Sequence, residues 1–192
     1  MDGKTVLLLG AFDTKGEEYA YVAGLIEARG HRTLRVDFSV KDDPAGIRID
    51  VPAERVAAAA GASLASLREA GDRGKAMETM AAGAARLVRE LYDEGKFDGM
   101  LGMGGTGGSS VISAAMRNLP IGVPKVLVST AASGDTRPMI GTRDIVLIPS
   151  VVDVAGVNRI SVEIFKEAAG AICGMVEMES PTVPDDRPIV AV

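Results

Sequence analysis

Gly104-Gly105-Thr106-Gly107-Gly108-Ser109-Ser110 places four glycines among seven residues, directly after the apolar run Met100-Leu101-Gly102-Met103. Such a stretch turns sharply, bares its backbone N–H groups and lets a ligand come close. A helix starting at Val111 or just before it would aim its positive dipole end at the same point. Together these make an anion cradle, for which phosphate is the best fit. The spacing matches neither G-x-x-x-x-G-K-S/T nor G-x-G-x-x-G, so it is neither a Walker loop nor the usual dinucleotide fingerprint. A tight strand-to-helix turn with no ligand would use the same residues.

Other segments carry reactive side chains at comparable positions. In Ala11-Phe12-Asp13-Thr14-Lys15-Gly16-Glu17, Thr14 and Glu17 have capping-box spacing, which predicts Thr14 as the N-cap of a helix and Lys15 as its first helical residue. Lys15 would then meet a phosphate as a point charge. Asp13 could hold a ribose hydroxyl, a magnesium-bound water or the neighbouring backbone. Asp37 stands where dinucleotide folds keep an acid for a ribose hydroxyl. The run Ser129 to Arg137 offers Thr130, Ser133, Gly134, Asp135 and Thr136 for phosphate, sugar or a carboxylated substrate, although such a loop also satisfies its own backbone when solvated. Ser150 and Asp153 extend the set.

These groups need elements to position them. The apolar run Thr5 to Gly10 reads as a strand buried on both faces, and Tyr19, Val22, Ala23 and Ile26 recur at helical spacing from Glu17 to Arg29. Alternation from Arg32 to Val40 predicts a second strand. The stretch Lys41 to Pro52 reads as an excursion with a short edge strand. Helices are predicted over Glu54–Ala60, Ser63–Ala70 and Lys75–Glu94, the last burying Met77, Met80, Ala81, Ala84, Leu87, Val88 and Leu91. A strand at Asp98–Met103, the glycine loop and a helix to Arg117 follow. Then come strands at Lys125–Ser129 and Asp144–Ile148 and a helix over about Val157–Met178. Alternating strands and helices predict an α/β fold: a doubly wound, mostly parallel Rossmann-like sheet with helices on both faces. Ligands of such sheets bind beyond the carboxyl ends of the strands, where all the candidate groups fall.

Composition narrows the chemistry. With 192 residues the chain can bury one domain core without disulfide or structural metal. A net charge of −5 and the absence of any Lys/Arg-rich tract argue against nucleic acid as a partner. Cys173 is the single cysteine and no apolar run reaches the length of a membrane span, so a cytoplasmic protein without membrane contact is expected. His31, the single histidine, precedes the second strand and so lies at the opposite edge of the sheet, about 20 Å from the candidate rim. A Ser-His-Asp or Cys-His engine and a thiolate or imidazole zinc site are therefore unsupported. Cys173, Met77 and Met80 read as core filling. Residues 1–179 are expected to form one subdomain, and the proline-rich segment from Ser180 to Pro188 reads as a linker into the first strand, 189–192, of a second subdomain beyond the chain.

Leu8-Leu9-Gly10-Ala11-Phe12-Asp13-Thr14-Lys15-Gly16-Glu17-Glu18, Gly102-Met103-Gly104-Gly105-Thr106-Gly107-Gly108 and Pro120-Ile121-Gly122-Val123-Pro124-Lys125-Val126 resemble the tomato mosaic virus resistance protein family. The likeness continues through Ser129 to Thr136 and Pro149 to Asn158. It implies the first of two α/β subdomains of an ATP-binding N-terminal region, with ATP and magnesium as ligands, the metal held mainly by phosphates. It also implies a downstream subdomain as partner, and a homodimer in part of the family. Nucleotide contact carries over to Asp13, Thr14, Lys15, Gly104, Gly105, Thr106, Gly107 and Gly108. The leading expectation is thus an ATP-binding domain of a larger protein. Alternatives are a ligase- or kinase-like enzyme fragment, with Lys15 and Arg137 stabilising a transferring phosphoryl group, and a sensor of a small anionic metabolite.

Overall fold

The computed structural model describes residues 3–179, and the predicted linker and strand at 180–192 lie outside them. Five strands, β1 (Thr5–Gly10), β2 (Arg32–Asp37), β3 (Gly99–Gly104), β4 (Lys125–Ser129) and β5 (Val146–Pro149), form one sheet in the order β2-β1-β3-β4-β5. Every pairing is parallel, with Leu9 opposite Val36 on one side and Gly102 on the other. Seven helices connect and cover them: α1 (Phe12–Ala28), α2 (Ala53–Ala59), α3 (Leu64–Ala70), α4 (Arg73–Asp93), α5 (Thr106–Asn118), α6 (Arg137–Ile140) and α7 (Ser161–Glu177). The fold is the doubly wound α/β arrangement that the alternation of elements predicts.

Apolar alternation along β1 splits the core in two. Leu7 and Leu9 face α2, α4 and α5, joining Val56, Met80, Leu87 and Ile112. Val6 and Leu8 face α1 and α7, joining Tyr19, Ile26, Phe165 and Ile172. Cys173 sits in this second layer, as its apolar helix implies. Because β1 feeds α1 on one face and β3 feeds α5 on the other, the chain reverses its winding between β1 and β3. That junction is where a sheet of this order leaves a crevice for ligands.

Tyr19 ties the two central strands together beneath the crevice. Its hydroxyl donates to the Leu9 carbonyl at 2.5 Å and accepts from the Met103 N–H at 2.6 Å, joining β1 and β3 where their ladder has ended. A side chain at Gly10 would overlap the Tyr19 ring, with Cβ only 2.3 Å from Cε2. Burial pushes the Tyr19 phenol well above its ordinary range.

Several expectations need correction. The first helix begins at Phe12, with Ala11 as N-cap, so Thr14 does not cap it and its hydroxyl lies 3.5 Å from the Ala11 carbonyl. Capping comes from elsewhere: Phe12 N–H donates to Asp37 Oδ1 at 3.1 Å and Asp13 N–H to Ser39 Oγ at 3.0 Å. Lys15 is the fourth residue of α1 and departs from helical geometry (φ −129°, ψ 18°), so the helix kinks there. The second strand ends at Asp37 instead of Val40, because the next residues turn to hold the start of α1, and the edge strand of the excursion reduces to a single bridge between Val36 and Val51. Met77 and Ala81 are only partly buried, and Ala76 and Gly83 take their places on the inner face of α4.

Candidate functional site

A cleft of about 860 Å³ lies over the β1/β3 junction. One side is the first βα turn, with Ala11, Asp13, Thr14 and Lys15, and the floor is Met103 through Gly108. The opposite wall is supplied by the excursion after β2 and by the α3–α4 corner: Phe38, Val40, Leu67, Ala76 and Met77 make it apolar, while Lys41, Arg68 and Arg73 give it charge. Asp153, beyond β5, completes the rim.

The glycine loop closes on itself as a helix start. Gly105 is the N-cap of α5, and Ser109 N–H donates to its carbonyl at 2.8 Å. None of the four loop glycines has positive φ, contrary to the expectation that their freedom shapes the turn. Gly104 is the most tightly confined of the four, since a Cβ there would sit 3.3 Å from Gly108 Cα and Ser109 N and would press those atoms back by a few tenths of an ångström. At Gly105, Gly107 and Gly108 the nearest atoms to an added Cβ are Thr130 Oγ1, Met77 Cε and Phe38 Cζ, at 3.8, 3.8 and 3.9 Å. Those are ordinary contacts, so there is room for a methyl group at all three. Glycine in the first turn of a helix costs stability relative to alanine. Packing and backbone geometry therefore give no reason for Gly107 and Gly108, whereas Gly105 is the N-cap, a position that favours glycine over alanine.

Charge in the cleft is unevenly committed. Arg68 donates to the Val40 carbonyl and pairs with Asp43, and Asp72 caps α4 through the Lys75 N–H. Lys15 and Arg73 have no carboxylate partner among the described residues. Asp13 accepts from the Asp42 N–H through Oδ2 at 3.3 Å, while its Oδ1 is buried and lacks any donor. A buried carboxylate oxygen without a donor is costly unless a ligand supplies one.

The remaining predicted residues lie in three places. Asp37 is buried beneath the first turn: its Oδ1 accepts from Phe12 N–H and from the Ser39 N–H and hydroxyl, and it does not line the cleft. Burial pushes its carboxyl pKa up, partly offset by those hydrogen bonds. Ser109 is also buried, its hydroxyl 3.1 Å from the Gly104 carbonyl and 2.6 Å from Ser129 Oγ, which braces the loop from behind. Thr130 and Ser133 line a second cavity of about 390 Å³, together with Ser129, Ser150, Val151 and Asp153. Gly134, Asp135 and Thr136 line neither cavity. Asp135 is bound by Arg137 at 2.9 Å, which holds its carboxyl below the usual range, and both side chains are largely exposed.

Sequence reasoning missed the α3–α4 wall. Arg68 and Arg73 belong to helices far from the strand ends in sequence, and only the packing of α3 against α2 and α4 brings them over the glycine loop. The Gly71-Asp72 punctuation between two helical patterns marks the corner, but not the strand end it faces. His31 is at the far edge as expected, where Nδ1 accepts from the Lys4 N–H and Nε2 meets Glu177. Among the described residues there is no group of three or more His, Cys, Asp or Glu arranged to hold a metal, and no helix long and apolar enough to cross a membrane.

Known proteins place the chain in a family. A "UPF0261 protein" of Clostridium tetani is 42% identical over 187 residues, covering 97% of this chain and 46% of the relative. One from Rhizobium meliloti is 44% identical over 172 residues, covering 90% of this chain and 42% of the relative. The chain thus spans about half the length of these curated relatives. The likeness to the "ToMV resistance protein Tm-1(GCR237)" of Solanum lycopersicum is partial: 46% identity over 104 residues, or 54% of this chain and 14% of that protein. Residues 4–181 match the N-terminal domain of the "Uncharacterised protein family (UPF0261)", and the chain belongs to that family.

Proposed function

We propose that this domain binds ATP with magnesium across the β1/β3 crevice, as one part of a longer protein. The observation that carries this reading is the pair Gly107 and Gly108, whose missing side chains the fold does not require and whose backbone faces the cleft at the N-terminus of α5. A polyphosphate seated there would meet bare N–H groups and the helix dipole. Lys15 and Arg73 would supply its counter-charge. The apolar wall of Phe38, Val40, Leu67 and Met77 suits a purine, and Asp13 Oδ1 suits a ribose hydroxyl or a magnesium-bound water. With few carboxylates at hand, magnesium would be held chiefly by phosphate and water.

Asp37 and Ser109 hold the two loops in place in this reading. The region that follows in the longer relatives would cover the open side of the cleft and tighten binding. Calorimetric titration of ATP, ADP and AMP, each with and without magnesium, tests the proposal. Saturable binding that strengthens from AMP to ATP supports it. No saturation at millimolar ATP·Mg, or equal affinity for all three, overturns it.

A further inference from the structure

We propose that the second cavity is a separate subsite for a small, neutral, polyhydroxylated molecule, held against the phosphate end of the glycine loop. The binding assignment stands on the cavity's own chemistry; only its relation to a phosphate rests on the nucleotide reading.

The two cavities differ in charge. Among the described residues four cations line the first, whereas no Lys, Arg or His lines the second. Its polar groups are hydroxyls and one carboxylate. Thr130 Oγ1, Ser133 Oγ and the Asp153 carboxylate have no hydrogen-bond partner among the described residues, so they are free to engage a ligand. Hydroxyls both donate and accept, and a carboxylate accepts only. A polyol complements that set, since each of its hydroxyls can do either. An anionic ligand would face Asp153 with no cation to offset the repulsion. At about 390 Å³ the cavity is at the small end of ligand sites, about 300–1,000 Å³.

The wall of this cavity is strained. Val151 has φ 63°, and Val152 N–H donates to the Ser150 carbonyl at 2.7 Å, which closes a γ-turn of the rare positive-φ kind. Val151 is β-branched and 71% exposed, so no packing of its side chain rewards that conformation. The turn is held from both ends: the Ser150 hydroxyl donates to the Val152 carbonyl at 2.6 Å, and Glu18 Oε1 accepts from the Gly156 N–H at 2.6 Å. Backbone strain that its surroundings maintain clusters at binding sites. Here its effect is to present Ser150 to Asp153 as one face of the cavity.

The cavities adjoin. Asp153 lines both, Thr130 N–H donates to the Gly104 carbonyl, and a Cβ on Gly105 would lie 3.8 Å from Thr130 Oγ1. A ligand in the second cavity therefore sits beside whatever occupies the glycine loop.

Saturation-transfer NMR with myo-inositol and sorbitol tests the assignment, with succinate and putrescine as anionic and cationic contrasts. The polyols are expected to saturate in the millimolar range and succinate to give no saturable signal. Ser133→Tyr, a change at an exposed rim position, should fill the cavity and raise the polyol Kd at least tenfold, while the Kd for ATP·Mg stays within twofold. Asp153→Asn should weaken the polyols as well. Absence of polyol saturation, an unchanged polyol Kd in Ser133→Tyr, or preference for succinate or putrescine would overturn the subsite. If ATP·Mg fails to bind while the polyols behave as expected, the nucleotide reading falls and the subsite stands.

Discussion

Replacing both Gly107 and Gly108 by alanine should make the protein more stable and its cleft worse at binding anions. Both residues lie in the first turn of α5 with ordinary negative φ, and the added methyls would meet Met77 Cε at 3.8 Å and Phe38 Cζ at 3.9 Å. Neither contact demands movement. Alanine is favoured over glycine by about 1 kcal/mol in a helix interior. Taking about half of that in a first turn gives roughly 1 kcal/mol for the pair, or about 2–4 °C in Tm for a chain of this size. The same methyls would stand between the backbone N–H groups and a bound phosphate, so affinity for ATP·Mg should fall at least tenfold, which is about 1.4 kcal/mol. Urea denaturation and calorimetric titration of the same two samples measure both quantities. Higher stability with unchanged affinity would mean that the glycines do not serve a ligand. Lower stability would mean that the fold needs them after all. Gly104→Ala is the control: its Cβ would press on Gly108 Cα at 3.3 Å, so it should destabilise, by about 1–3 kcal/mol.

Lys15→Ala should weaken ATP binding by about 1.5–3 kcal/mol, with a smaller loss at high salt and a smaller loss for AMP; equal small losses for both nucleotides would move the phosphates away from the first turn. Tyr19→Phe leaves the Leu9 carbonyl and the Met103 N–H buried without partners, so it should cost about 2–4 kcal/mol in urea denaturation, and a loss under about 0.5 kcal/mol would refute the bridge. Asp144→Asn removes the charge opposite Lys125, whose fully buried Nζ meets Asp144 Oδ1 at 2.9 Å and the carbonyls of Pro120 and Val123. Partial desolvation raises the Asp144 carboxyl, but the Lys125 hydrogen bond, the Gly122 N–H and the ammonium charge outweigh it and hold the pKa below its ordinary value. A depressed pKa contributes stability above the unfolded carboxylate range, and that stability is lost as pH falls through the folded value. The variant should therefore cost about 1–2 kcal/mol at pH 7, discounted because Asp144 is partly exposed, and the two stability curves should converge below about pH 4; parallel curves would refute the pairing.

Sequence alone reveals most where a signal is local. The strand Lys125–Ser129 is bounded correctly because an apolar run there is flanked by Pro124 and by small hydroxyl residues, and the glycine loop announces itself by composition. It misleads where tertiary contacts replace local ones. Thr14 and Glu17 have the spacing of a capping box, yet Asp37 and Ser39, more than twenty residues away, satisfy the first N–H groups and start the helix three residues earlier. The same exchange shortens β2 and sinks Asp37 under the turn instead of leaving it at the rim. Arg68 and Arg73 were illegible for a simpler reason: nothing in a helix states which loop it will lean over. The strain at Val151 is equally invisible, since valine is among the residues least expected at positive φ.

The Tyr19 bridge also fixes when the cleft can exist. Its hydroxyl links Leu9 to Met103, partners of which the second is 84 residues from the tyrosine along the chain. The first βα turn and the glycine loop are consequently aligned only when β3 is docked beside β1, a contact of long sequence separation. Until then neither loop has its counterpart, and a nascent chain that has released only its first hundred residues carries half a crevice. A ligand of the cleft would therefore act as a selective stabiliser of the completed sheet over every partly folded form.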